Sequence, residues 1–355
     1  MKIKISRIHQ SLAVLAAIFL VIFFAGCDLP QKAEGPPQKA EVVGEPSKPR
    51  DITCYQQLGI TLSGAEWEGG DYIRPTTDEL SYYASKGVKL IRLEIRWDKV
   101  QPDLYGQLDG DEITWLKTYV ADADKQNMSV IIDLHERSNL DDLNFGPELP
   151  IASLADFWKK MVGQFRGISN VCGFGVANEP NHKGGFYGIW PEQANSVIAA
   201  IRSVDNQHFV FVGEDQWDSS LHWDQQQAEA IRDPANRLVF EAHSYWDEDT
   251  SGNYSPNTPP ANDGDANQLV ETSLSPFINW CGTTRRCFVG EFGVPPDKEW
   301  LVALDHAIQL MREHHIGGCY WAGGPGWGND YPLSIEPVDG RDSEQMRVME
   351  KYLSA

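Results

Sequence analysis

Eight short apolar runs, separated by stretches of helical periodicity, constrain this chain more than any other feature. They fall at residues 59–62, 89–95, 129–134, 171–177, 208–213, 238–243, 287–290 and 316–321. Runs this short and this continuously apolar read as parallel strands covered on both faces, unlike the alternating pattern of a half-exposed sheet. Between them, Thr77-Asp78-Glu79 opens a helix that Gly87 closes, and residues 111–127 form a second. Leu154, Phe157, Met161 and Phe165 keep a helical stripe in a third. Residues 190–204, 298–315 and 342–353 supply three more, whereas helical content is sparser between the fifth and seventh strands. This βα alternation predicts an α/β fold, a (β/α)8 barrel in a single domain over residues 51–355. A doubly wound open sheet is the alternative. No GxGxxG or GxxxxGKS/T pattern follows a strand, so a nucleotide-binding sheet has little support.

Two of these runs lead into a glutamate. Val171–Ala177 is followed by Asn178-Glu179-Pro180, and the run from Cys287 to Gly290 by Glu291-Phe292-Gly293. In a β/α barrel the functional residues sit where strands end. Two carboxylates placed there are the minimum equipment for cleaving a glycosidic bond.

Charge narrows the partners. The chain carries 51 acidic and 30 basic residues, a net charge of −21. A surface this acidic repels phosphate backbones and anionic head groups, which argues against nucleic acid and leaves a neutral polysaccharide free of penalty. The 12 Trp fit the same reading, because flat sugar faces stack on indole rings. Trp97, Trp217, Trp223, Trp246 and Trp327 are candidates for distant sugar subsites, with core packing as the alternative for each. No CxxC pair or His-rich spacing suggests a metal, and neither a metal nor another cofactor is expected; the domain is expected to be a monomer.

The first 27 residues have the layout of an export signal. Lys2, Lys4 and Arg7 precede an apolar stretch from Leu12 to Phe24, too short for the roughly 20 residues of a comfortable span. Phe24-Ala25-Gly26-Cys27 resembles the bacterial lipoprotein processing box, with Phe24 in place of the usual Leu. The resemblance implies cleavage before Cys27, lipid attachment at that cysteine, and export to a bacterial membrane, inner or outer. Residues 28–50 contain five prolines, no aromatic residue and the repeat Gln-Lys-Ala-Glu at 31–34 and 38–41, the composition of an extended tether. Membrane association is thus expected through the anchor alone. Of the remaining cysteines, Cys281 and Cys287 flank a short polar loop and are expected to bridge. Cys172 and Cys319 read as small strand hydrophobes, and Cys54 as free.

The order of motifs over residues 54–355 resembles glycoside hydrolase family 5, retaining β-glycanases on a (β/α)8 fold. Asn178-Glu179-Pro180 matches the acid/base motif at the fourth strand, and Glu291 in Gly290-Glu291-Phe292-Gly293 matches the nucleophile at the seventh. Arg92 matches the second-strand arginine, His135 the third-strand histidine, His243-Ser244-Tyr245 the sixth-strand His-x-Tyr, and Trp321 the eighth-strand tryptophan. Asn-Glu-Pro alone is a weak signal; six matches in order, each at its own strand end, are specific. The stretches 59–66, 97–102, 247–252 and 332–337 also look like the endo-β-1,4-glucanase branch. Glu94 departs from the Pro usual there, and Glu136 from a common Asn; both are expected near the cleft mouth, where they would touch substrate preference.

The resemblance implies roles for these residues. Glu291 would attack the anomeric carbon, held by Arg92 and Tyr245. Glu179 would protonate the leaving oxygen and then activate water. Asn178 would bond the sugar 2-hydroxyl, His135 and His243 would bind sugar or support Glu179, and Trp321 would floor the cleaved sugar. Mannan, mixed-linkage glucan and xyloglucan stay open as substrates beside β-1,4-glucan. A glycan-binding lipoprotein without catalysis is the alternative of another class.

Overall fold

The computed structural model describes residues 54–65, 72–136, 150–180, 189–327 and 330–353. The expected signal with Cys27, and the tether at 28–50, lie outside the described residues. Among the described residues no helix is long and apolar enough to cross a membrane.

Eight parallel strands close into a barrel in sequence order: β1 (Leu58–Leu62), β2 (Leu90–Arg96), β3 (Ser129–Glu136), β4 (Val171–Gly175), β5 (Phe209–Val212), β6 (Leu238–His243), β7 (Cys287–Phe292) and β8 (Gly317–Gly323). Around them run α1 (Thr77–Ser85), α2 (Trp97–Val100), α3 (Gly110–Lys125), α4 (Ile151–Phe165), α5 (Trp190–Arg202), α6 (Gln225–Ala230), α7 (Asp263–Cys281), α8 (Lys298–Glu313) and α9 (Glu344–Leu353). The barrel, not the open sheet, is therefore the fold. Each expected strand is present, its ends shifted by two residues or fewer. The expected helices at 111–127 and 298–315 stop earlier because Asn127 and His315 turn left-handed, both at φ 57°, the conformation that closes many helices. The sparse region after β5 holds a full helix, α7. Asn262 caps it by accepting from the Asp265 N–H at 3.1 Å, and Pro276 sits inside it, which masks its periodicity in sequence.

The strands' period of two sorts the barrel interior into layers. Leu90, Ile131, Phe211, Val239, Phe288 and Cys319 form an apolar floor with Cys54 and Cys172. Two residues further along their strands, the first, second and fourth of these are followed by Arg92, Asp133 and Glu241. Another two bring Glu94, His135 and His243, the next layer toward the C-terminal end of the barrel. The opposite strand faces pack against the helices, with Ile91, Ile132, Phe174 and Val289 meeting residues such as Leu116, Trp158 and Leu304 in one large cluster. Glycine makes room for the charged layer: a Cβ at Gly290 would stand 1.8 Å from Glu241 Oε1.

The Cys281–Cys287 bridge is present, joining the end of α7 to the start of β7. Cys319 is a buried free thiol, as expected. Cys54 and Cys172 depart from expectation and form a second disulfide across the barrel floor, spanning 118 residues. The short helix Cys54–Gln56 folds under the barrel and brings them together, a contact no local pattern reveals. Cross-linking so long a loop restricts the unfolded chain strongly. Replacing both cysteines by alanine is expected to lower stability by about 2–4 kcal/mol, read from the urea midpoint of oxidised protein. An unchanged midpoint would mean that the bridge does not form.

Candidate active site

Glu291, near the end of β7, is almost wholly buried, its side chain 4% exposed. Arg92 donates from Nη1 to Oε1 at 2.9 Å, and the Tyr245 hydroxyl donates to Oε2 at 2.8 Å. Burial, with Glu291 beside it, pushes the Tyr245 phenol well above its ordinary range, so it remains a donor. Glu179 lies just beyond β4 and is 32% exposed. Its Oε1 stands 2.9 Å from His243 Nδ1. One oxygen from each glutamate and a His243 ring nitrogen all fall within 4.8 Å of one another.

Arg92 is the hub beneath. Its guanidinium meets Glu94 at 3.1 Å, Asp133 at 3.0 Å, Glu241 at 3.0 Å and Glu291 at 2.9 Å, and donates to Asn178 Oδ1 at 3.0 Å. Burial opposes its charge, but the surrounding carboxylates outweigh burial and hold it protonated. The two histidines behave alike. Burial works against their charged forms; Glu94 and Asp133 around His135, and Glu291 and Glu179 around His243, raise both well above the usual imidazole range. His135 Nδ1 is 2.7 Å from Glu94 Oε1, and its ring stacks on Trp321 at 5.2 Å and 15°. Trp321 donates from Nε1 to the Tyr331 hydroxyl at 2.8 Å, which fixes the indole as a partly exposed wall.

Two sets, Glu94–His135–Glu291 and Glu179–His243–Glu291, place their donors close enough to meet a divalent cation. An imidazole held protonated has no lone pair to offer, so these sets read as charge pairs. A cleft of about 590 Å³ opens beside Glu179, lined among others by Trp217, Ser219, His222, His243 and Tyr245. It has room for sugar rings on that side of the carboxylate pair.

The model of the cellulase family, glycosyl hydrolase family 5, matches residues 50–326. The chain belongs to glycosyl hydrolase family 5. Its sequence is 24% identical to endo-beta-1,4-glucanase B of Aspergillus niger over 85% of this chain and 91% of that protein. It resembles the crystal structure of Pseudomonas stutzeri endoglucanase Cel5A in complex with cellobiose, with a TM-score of 0.76 and 34% identity over 84% of this chain and 92% of that one. Endo-beta-1,4-glucanase Xac0029 of Xanthomonas axonopodis pv. citri is similar at TM-score 0.73 and 27% identity, over 84% and 98%.

In this family 5 glycosyl hydrolase, the structure brings together the eight residues singled out from sequence for catalysis and sugar binding. Glu179, Glu291, Arg92, His135, Asn178, His243, Tyr245 and Trp321 share one contact network at the strand ends. Two expectations are corrected. Glu94 is not at the cleft mouth but fully buried under it, between Arg92 and His135, because it shares the inward face of β2 with Arg92. The side chain of Glu136 lies outside the described residues. Trp97, Trp223 and Trp246 are core residues, 0%, 6% and 2% exposed, leaving Trp217 and Trp327 of the proposed subsite tryptophans partly exposed. Asp133, Glu241, Glu214 and Asp218 were not anticipated. Glu214, buried at the end of β5 with Asp218 and Asp215 nearby, is pushed up to about 9, chiefly by burial. For Asp133 and Glu241 a signal did exist: each stands two residues before a histidine, on one face of an apolar strand.

Proposed function

We propose that the chain is a retaining endo-β-1,4-glucanase. The observation that carries this is the approach of the Glu179 and Glu291 oxygens to within 4.8 Å. That fits the carboxyl separation of about 5–5.5 Å of retaining enzymes, and not the roughly 6.5–9.5 Å of inverting ones. The unequal exposure of the pair supports the division of roles. Glu291 Oε attacks the anomeric carbon while the bond to the leaving sugar oxygen breaks, and that oxygen takes the proton of Glu179. Water then gives a proton to the Glu179 carboxylate as its oxygen bonds the anomeric carbon, and the ester to Glu291 breaks. Arg92 and Tyr245 hold the Glu291 carboxylate for attack, and their hydrogen bonds accompany it back to the ionised state. His243 orients Glu179, and Trp321 offers a sugar ring its face.

The substrate reading is supported by the endoglucanases to which the chain is similar and by the open cleft beside Glu179. Residues 51–355 are expected to release reducing ends from carboxymethyl-cellulose faster than from mannan, with mixed-linkage glucan and xyloglucan ranked alongside. The anomer first formed should be β, seen by proton NMR within the first minutes. An α product would overturn retention, and faster release from mannan would overturn the glucan assignment. We also propose that Cys27 carries a lipid that holds the enzyme at a bacterial membrane. In cells given a labelled fatty acid, Cys27→Ala should abolish labelling and free the protein from the membrane fraction; a membrane-bound, labelled Cys27→Ala protein would rule the anchor out.

A further inference from the structure

Glu179 has a backbone conformation that bulky residues rarely adopt, with φ at 43°. Such a conformation is strained and persists only where its surroundings impose it. What imposes it comes from the segment after β5. The Glu179 N–H donates to Asp218 Oδ2 at 3.0 Å, and the Trp217 N–H donates to the Pro180 carbonyl at 3.1 Å. Asp218 also accepts the His243 N–H on its own carbonyl at 2.6 Å, and the Ser220 N–H donates to the His243 carbonyl at 2.9 Å. Residues 218–220 are thereby laid along the end of β6, with Ser219 bridged in parallel to His243. One aspartate thus grips the backbones of both Glu179 and His243, whose side chains meet at 2.9 Å.

We propose that Asp218 is a positioning residue for the acid/base step, a hydrogen-bond acceptor that aims Glu179 at the leaving-group oxygen. The inference rests on the assignment of Glu179 as acid/base. Asp218 is 2% exposed, and among the described residues its Oδ1 has no hydrogen-bond partner. Burial and the neighbouring Glu241 and Glu179 push its pKa well above the carboxylate range, against the opposing pull of His243. Gly213 completes the arrangement, because a Cβ there would stand 1.7 Å from Oδ1.

A role in aiming the acid has a signature that loss of general stability lacks. Departure of 2,4-dinitrophenolate needs no proton, whereas departure of phenol or a sugar does. Asp218→Gly removes the carboxyl and accommodates φ 54° without strain. Its kcat/KM should fall roughly 10- to 100-fold on phenyl β-cellobioside, a part of the roughly 10²- to 10⁴-fold that a general acid contributes, and by less than about threefold on the dinitrophenyl substrate. Its kcat on the dinitrophenyl substrate, limited by water attack on the ester, should also fall and be restored by azide, which needs no base. Asp218→Asn keeps a carbonyl acceptor and should recover most of the loss. Equal losses on both substrates, no loss on either, or failure of Asn to recover would overturn the proposal. If the glycine variant does not fold, Asp218→Ala takes its place under the same criteria. Glu179→Gln, run in parallel, separates the two claims: without a leaving-group split of its own, the acid/base assignment fails; with one, a flat Asp218 response sinks only the role of Asp218.

Discussion

Glu291→Gln is expected to lower kcat on β-glucan by at least about 10⁴-fold, as removal of a covalent nucleophile does. Glutamine keeps the shape of the side chain and an oxygen for either Arg92 or Tyr245, now 2.9 and 2.8 Å from the carboxylate. What it lacks is the charge that attacks the anomeric carbon. Stability should change little, by about 1–2 kcal/mol, because one polar group replaces another among existing partners. Circular dichroism and a urea midpoint measured beside kcat would separate lost chemistry from lost fold. A 2-deoxy-2-fluoro cellobioside with a good leaving group should add one glycosyl mass to the wild-type peptide containing Glu291, and none to the variant. Residual kcat within tenfold of wild type, or the label on another residue, would remove Glu291 as nucleophile.

The readable part of this site is the part that sits on regular strands. A glutamate after Val289-Gly290 and an arginine within Leu90–Ile95 declare themselves because a charge is anomalous in a buried strand. Their order along the chain then fixes their order around the barrel. The second ring of charge could have been found on the same grounds. Glu94 follows Arg92 by two, and Asp133 and Glu241 precede His135 and His243 by two, so each pair shares an inward face. Asp218 was less accessible. It lies in an irregular segment where acidic residues are common, and its partner is a backbone N–H 39 residues away. The Cys54–Cys172 bridge escaped for a related reason: its ends meet only after seven intervening elements, three of the eight strands among them, have folded. Residues 181–188, directly after the acid/base motif, and 137–149, directly after β3, lie outside the described residues.

Arg92→Met should cost about 3–5 kcal/mol of stability as well as activity, because it breaks a buried charge network from its centre. Methionine can fill much of the space, but it leaves Glu94, Asp133, Glu241 and Glu291 without the cation that now stands within 3.1 Å of each. His135 and His243, both held protonated, compensate in part: they reach Glu94 at 2.7 Å and Glu241 at 3.7 Å. The folded variant must therefore take up protons that its unfolded chain releases. By linkage, a folded carboxyl whose pKa is raised contributes stability that is lost as pH rises. The deficit relative to wild type should accordingly be smaller at about pH 5 than at about pH 8. In the wild type, Arg92 has its own pKa raised, so its contribution persists throughout that window. Glu94→Gln added to Arg92→Met should recover part of the loss, although Glu94→Gln alone should be destabilising because it removes the negative charge that faces His135 and Arg92. Urea midpoints for the four proteins at the two pH values form a double-mutant cycle. A deficit independent of pH, with additive substitutions, would mean that Arg92 contributes by packing alone. A coupled, pH-dependent deficit would make the arginine the charge that permits four carboxylates to share one barrel interior.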